Sequence, residues 1–131
     1  MRLRQEFERI VRQRLALTDE QVAKLRATNQ RFAPERRALN ERERGIRQAM
    51  RVEMQPGVAA NDPHLSALID SLFAVQRSRL ETVQAEQREL ATFLTPSQRV
   101  RYFALQEQMR RRIQTLLQRR AGPPGIADSG R

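Results

Sequence analysis

The sequence predicts an all-α fold of four helices, with a long antiparallel helical hairpin at its centre. Three observations carry that expectation. The chain has only five Gly and six Pro in 131 residues, and they cluster. Long stretches of Arg, Gln, Glu, Leu and Ala remain, all good helix formers. Two Leu-Thr-x-x-Gln segments, Leu17–Gln21 and Leu94–Gln98, have the pattern of a capped helix start. The apolar residues, 39% of the chain against roughly 45–50% in ordinary globular domains, recur at helical spacing and so form narrow stripes.

The first helix is expected over about residues 3–15, where Leu3, Phe7, Ile10 and Leu17 share a face that Arg14 interrupts. Thr18 then supplies an N-cap, Asp19 and Glu20 occupy the first turn, and Gln21 stands at the third helical position. The cap hydroxyl and the Gln side chain can each satisfy the other's orphan amide, and Leu17 sits where a hydrophobic staple belongs. The second helix runs from Asp19 to about Met54, with Pro34 inside it as an expected kink. Its seam has two rails at seven-residue spacing. Leu25, Phe32, Leu39 and Ile46 form an apolar one, and Val22, Asn29, Arg36, Glu43 and Met50 form one that is polar in the middle. Such a helix suits a thin, two-layer packing or an open polar face.

Gln55–Asn61, which contains Pro56 and Gly57, is the clearest turn. Asn61 or Asp62 caps the third helix, and Pro63 stands at its start, where a missing amide does no harm. That helix runs to about Phe93, with Leu65, Ile69, Leu72, Gln76, Leu80, Val83, Gln87, Leu90 and Leu94 as a coiled-coil-like seam. The second box follows, with Thr95 as cap, Pro96 at the first position and Gln98 at the third. The fourth helix reaches about Arg120 and carries Val100, Phe103, Leu105, Met109, Ile113, Leu116 and Leu117. Residues 1–120 are therefore read as one four-helix domain, and residues 121–131, which open on Ala-Gly-Pro-Pro-Gly, as a disordered tail.

Helices of ~30 residues or more are roughly 45–55 Å long, whereas a globular chain of this length is only about 28 Å across. An elongated molecule follows, and it leaves part of its apolar stripe uncovered. A twofold homodimer is the expected remedy.

The net charge is +10, and Lys24 is the only lysine. Such a field favours acidic partners, and guanidinium groups stack and pair bidentately where ammonium groups do not. The absence of Cys excludes disulfides, thiolate nucleophiles and thiolate-metal sites. No apolar run is long enough to cross a bilayer. Met1–Glu6 is charged and lacks the apolar core of an export signal, so the chain reads either as cytoplasmic or as a mature form whose signal has been removed. With one His, no glycine-rich phosphate loop and no H-E-x-x-H or Glu-x-x-His motif, catalysis is not expected. Neither a cofactor nor a small-molecule substrate is expected. Glu41, Glu43, Glu86 and Glu89 read as surface partners of Arg residues on their own helices.

Two Leu-Thr-x-x-Gln boxes flanking a long helical hairpin, in a basic chain without Cys, resemble the Spy/CpxP family of periplasmic proteins over about Phe7–Arg120. The resemblance implies an antiparallel, cradle-shaped dimer of four-helix protomers, exported to the periplasm. It further implies ATP-independent chaperone activity toward unfolded proteins in the envelope-stress response. Leu17, Thr18, Gln21, Leu94, Thr95 and Gln98 would then be structural. The positions expected to meet client proteins are Arg36, Arg44, Arg47, Met50, Arg51 and Met54 on the second helix, with Phe73, Arg77 and Arg79 on the third.

Two alternatives belong to other classes. Metal sensing, as in the similar ZraP and CnrX, needs several convergent ligands. This chain offers His64 with Glu53, Met50 and Met54 across the turn, so no metal is expected. Nucleic-acid binding could use Arg110–Arg112, Arg119 and Arg120, but acidic residues are interleaved along the middle helices and no aromatic platform is present. A membrane-surface role could use the basic first helix, with Arg2, Arg4, Arg9, Arg12 and Arg14. Neither nucleic acid nor a membrane surface is the expected partner.

Overall fold

A computed structural model describes residues 2–120. The expected tail lies outside the described residues. Within them the chain is all-helical, with α1 Arg2–Leu15, α2 Asp19–Glu53, α3 Asp62–Leu90 and α4 Pro96–Arg120. The α2 helix is continuous through Pro34. The described residues divide into two compact units, one of residues 2–22 with 94–120 and one of residues 23–93.

In the first unit α1 packs on α4. Its core is Val11, Leu15, Leu17, Val22, Leu94, Tyr102 and Leu105, and the Phe7 and Tyr102 rings lie 6.3 Å apart at a tilt of 39°. The α1 face differs from the one expected, because Val11 and Leu15 are buried while Leu3 is exposed. Ile10 and Val11 are adjacent, so the sequence offers two rows. Phe7, Val11 and Leu15 form the four-residue ridge that a helix presents to a neighbour. On α4 the buried pair is Tyr102 and Leu105, and Val100 and Phe103 of the expected stripe are exposed.

The junction after α1 closes as a Schellman motif. The Leu17 amide donates to the Arg12 carbonyl at 3.0 Å and the Ala16 amide to the Gln13 carbonyl at 3.3 Å. This ordinarily needs glycine at the residue just past the helix, yet here it is Ala16, at φ 54°. A side chain in that region costs roughly 1–2 kcal/mol, part of which glycine gives back as unfolded-state entropy. Ala16→Gly should therefore stabilise the protein by about 0.5–1 kcal/mol, read as a higher urea midpoint. A lower midpoint would contradict the left-handed cap.

In the second unit both expected rails of α2 lie inward. Leu25 and Leu39 are buried, and Asn29, Phe32, Arg36, Glu43, Ile46 and Met50 are half-buried. The inward face of α3 is Leu65, Leu68, Leu72, Val75, Arg79, Thr82, Glu86 and Leu90, all buried or half-buried. Ile69, Leu80 and Val83, expected in the seam, are exposed. The helix carries two apolar stripes and only one faces α2. The turn between the helices is built by Gln55-Pro56-Gly57-Val58, where the Val58 amide donates to the Gln55 carbonyl at 3.1 Å. Gly57 stands at φ 85°, as the third residue of a type II turn requires. Asn61 is the α3 cap, its side-chain oxygen accepting from the His64 amide at 3.1 Å.

Candidate functional site

Both boxes form as expected, and they meet. The Thr18 amide donates to Gln21 Oε1 at 3.0 Å and the Gln21 amide to Thr18 Oγ1 at 3.1 Å. In the second box the Thr95 amide donates to Gln98 Oε1 at 3.0 Å and the Gln98 amide to Thr95 Oγ1 at 3.2 Å. Each glutamine thereby spends its carbonyl oxygen locally and keeps its NH2 for another partner. Gln21 Nε2 donates to Gln98 Oε1 at 3.4 Å, and Gln98 Nε2 donates to the Leu15 carbonyl at 3.1 Å. That carbonyl ends α1, where no intrahelical donor remains. Leu17 and Leu94 are buried beside the joint. The six motif residues thus join three helix ends, a structural arrangement with no reactive group in it.

The polar stretch of α2 is answered by polar residues of α3. Arg36 Nη1 donates to Glu86 Oε2 at 3.0 Å. Arg79 reaches Asn40 Oδ1 at 2.8 Å and Glu43 Oε1 at 2.6 Å. The Thr82 hydroxyl stands 3.1 Å from Glu35 Oε1, and Arg31 pairs with Glu89. The carboxylates were expected to pair along their own helices. Glu43 does so with Arg47 Nε at 3.0 Å, but Glu86 and Glu89 reach across to α2 instead. The reason is position, since both lie on the inward face of α3.

The hydrogen bond from Arg47 holds the Glu43 carboxyl below its ordinary value of 4.5, Arg79 acts in the same direction, and burial opposes them. A depressed carboxyl contributes stability that is present above the unfolded value and lost as pH falls through the folded one. The thermal midpoint of the protein should therefore fall more steeply below pH 4.5 than that of Glu43→Gln. Parallel midpoint curves would show that Glu43 carries no such linkage.

The positions expected to meet clients fall into two groups. The guanidinium groups of Arg36 and Arg79 are held by carboxylates across the α2–α3 layer, a role within the fold that the sequence reading did not include, while Arg47 pairs with Glu43 on its own helix. Arg51 donates to Gln48 Oε1 at 2.7 Å, and Met50 is half-buried. Arg44 and Arg77 are exposed, as are Met54 at 65% and Phe73 at 56%. Phe73 is not isolated. At helical pitch, Ile69, Phe73, Leu80 and Val83 fall within an arc of about 80°, all are exposed, and Arg77 borders them one turn from Phe73. The sequence reading found Phe73 and Arg77 but placed Ile69, Leu80 and Val83 in the core. The complement of Arg79, Thr82 and Glu86 to the polar rail of α2 was the signal that could have separated the two stripes.

His64 Nδ1 lies 3.2 Å from Glu53 Oε2 across the turn. Among the described residues no group of three or more His, Cys, Asp or Glu converges as a metal site would require. Nor is any helix among them long and apolar enough to cross a membrane. Comparison with models of known families, with curated proteins and with solved structures finds no match to this chain.

Proposed function

We propose that this protein is an ATP-independent chaperone of the Spy/CpxP type, which holds unfolded or partly folded proteins on a basic, partly apolar surface. The observation that carries this reading is the exposed apolar arc of α3, Ile69, Phe73, Leu80 and Val83, beside Arg77 on a chain of net charge +10. A basic field speeds encounter with acidic chains in a salt-dependent way. Short apolar contacts then retain the client weakly enough for it to fold or leave. Arg44, Arg51, Arg77, Met50, Met54 and Phe73 meet the client through guanidinium groups, their apolar stems and the sulfur and ring surfaces. Arg36, Arg47 and Arg79 contribute field and hold the layer beneath.

In this reading α2 and α3 form an antiparallel hairpin, and two elongated protomers pair as a cradle. The work is done in the periplasm under envelope stress. The compartment, the dimer and the stress setting rest on the resemblance carried by the two boxes, Leu17–Gln21 and Leu94–Gln98.

The test is titration of a fluorescently labelled, permanently unfolded protein, followed by anisotropy without nucleotide. Binding is expected to this unfolded chain and not to the folded parent protein from which it is made. Phe73→Ser with Leu80→Ser should weaken it at least ~10-fold, from the apolar area withdrawn. Equal affinity of parent and variant would remove α3 from the client surface. No binding by either would remove the chaperone reading.

A further inference from the structure

The last turns of α4 have no partner among the described residues. Phe7 meets Tyr102, and Gln98 bonds to the end of α1 at Leu15. The α1 numbers therefore fall as the α4 numbers rise, and α1, with 14 residues, runs out against an α4 of 25 residues. Every residue from Arg110 to Arg120 is exposed.

These turns are amphipathic. Met109, Ile113, Leu116 and Leu117 fall within an arc of about 100°, and that arc continues the face on which Tyr102 and Leu105 are buried lower down. The opposite face and both flanks carry Arg110, Arg111, Arg112 and Arg119, with Arg120 at the end, and residues 108–120 contain no acidic side chain. A short aliphatic arc flanked by arginine is the pattern of a helix that lies in the headgroup layer of a membrane.

The geometry points to an anionic phospholipid surface as the occupant of this face of α4, with the helix lying flat. Charge selects against the nearest competitor, because a second copy would bring five arginines against five. Duplex nucleic acid satisfies the arginines but leaves Ile113, Leu116 and Leu117 in water. An acidic groove on a protein is the closest rival in chemistry. A groove would have to be shaped to this helix and carry acidic groups placed against the arginines on both of its flanks. A bilayer interface requires only apolar area and cationic charge.

The experiment is flotation of the full chain with vesicles of phosphatidylglycerol and phosphatidylcholine in equal parts, against vesicles of phosphatidylcholine alone. The chain should float with the first and not the second, and added salt should release it. Leu116→Asp with Leu117→Asp should lower partitioning at least ~100-fold, with helix content by circular dichroism unchanged because both side chains are already exposed. Arg112→Gln, on a flank of the apolar arc, should weaken it about fivefold. The chain contains no Trp, so Leu117→Trp adds a single reporter whose emission should shift to the blue on anionic vesicles. Failure to float, flotation unaffected by the double aspartate variant, or a blue shift with an acidic polypeptide or duplex DNA but not with vesicles would each overturn the assignment.

Discussion

Tyr102→Ala lowers the stability of the protein by about 3–5 kcal/mol, the range for an aromatic side chain removed from a packed core. Tyr102 is the largest of the fully buried side chains, 1% exposed, and its ring is tilted against Phe7. The α1–α4 unit has few other large groups, so the cavity cannot collapse onto a spare aromatic. Because small proteins hold only about 5–15 kcal/mol in all, the variant should lie near the unfolding threshold at ambient temperature. Phe103→Ala, one residue away on an exposed face, should change stability by less than about 0.5 kcal/mol. Urea unfolding of the two variants decides the rotation of α4, and a larger loss at Phe103 would invert it.

Arg36→Leu destabilises by about 2–3 kcal/mol, and adding Glu86→Leu restores most of the loss. Glu86 retains only 10% of its side-chain exposure against 37% for Arg36. Removing the guanidinium strands a nearly buried carboxylate, which is the costly way to break an ion pair. The exposure of Arg36 places the effect below the roughly 3–5 kcal/mol of a fully buried pair, since water screens part of it. Replacing both partners with leucine takes the desolvation cost away and leaves apolar contact in its place. A double-mutant cycle by thermal unfolding measures this. Losses that simply add would show that Arg36 and Glu86 do not interact.

Helix number and helix starts were legible because local chemistry sets them, whereas α3 ends at Leu90 rather than near Phe93. The boxes at Thr18–Gln21 and Thr95–Gln98, the Pro56–Gly57 turn and the Asn61 cap bring their own hydrogen-bond logic, and the structure closes each one. What local chemistry leaves open is rotation about a helix axis. Ile10 and Val11 are equally apolar, so only the ridge presented to α4 selects Val11. On α3 the stripe of Leu65, Leu68, Leu72 and Val75 competes with that of Ile69, Phe73, Leu80 and Val83. The choice is made by α2, whose Arg36 and Glu43 require Glu86 and Arg79 opposite them.

The same polar layer explains why the sequence did not show which of the arginines expected to meet clients are held within the fold. An arginine on a basic helix looks the same in sequence whether it faces water or a carboxylate fifty residues away, as Arg36 does. The meeting of Gln21 with Gln98 was illegible for a related reason. Each box is complete without the other, and only the folded chain brings the spare NH2 of Gln21 to the Gln98 side-chain oxygen.

Capture of unfolded chains without nucleotide is the centre of the account, and light scattering of a chemically denatured test enzyme diluted into buffer measures it most directly. Near-stoichiometric amounts of this protein, with no ATP present, should hold the scattering down, and high salt should weaken that effect. Scattering that rises unchanged at every ratio of protein to denatured enzyme would contradict it.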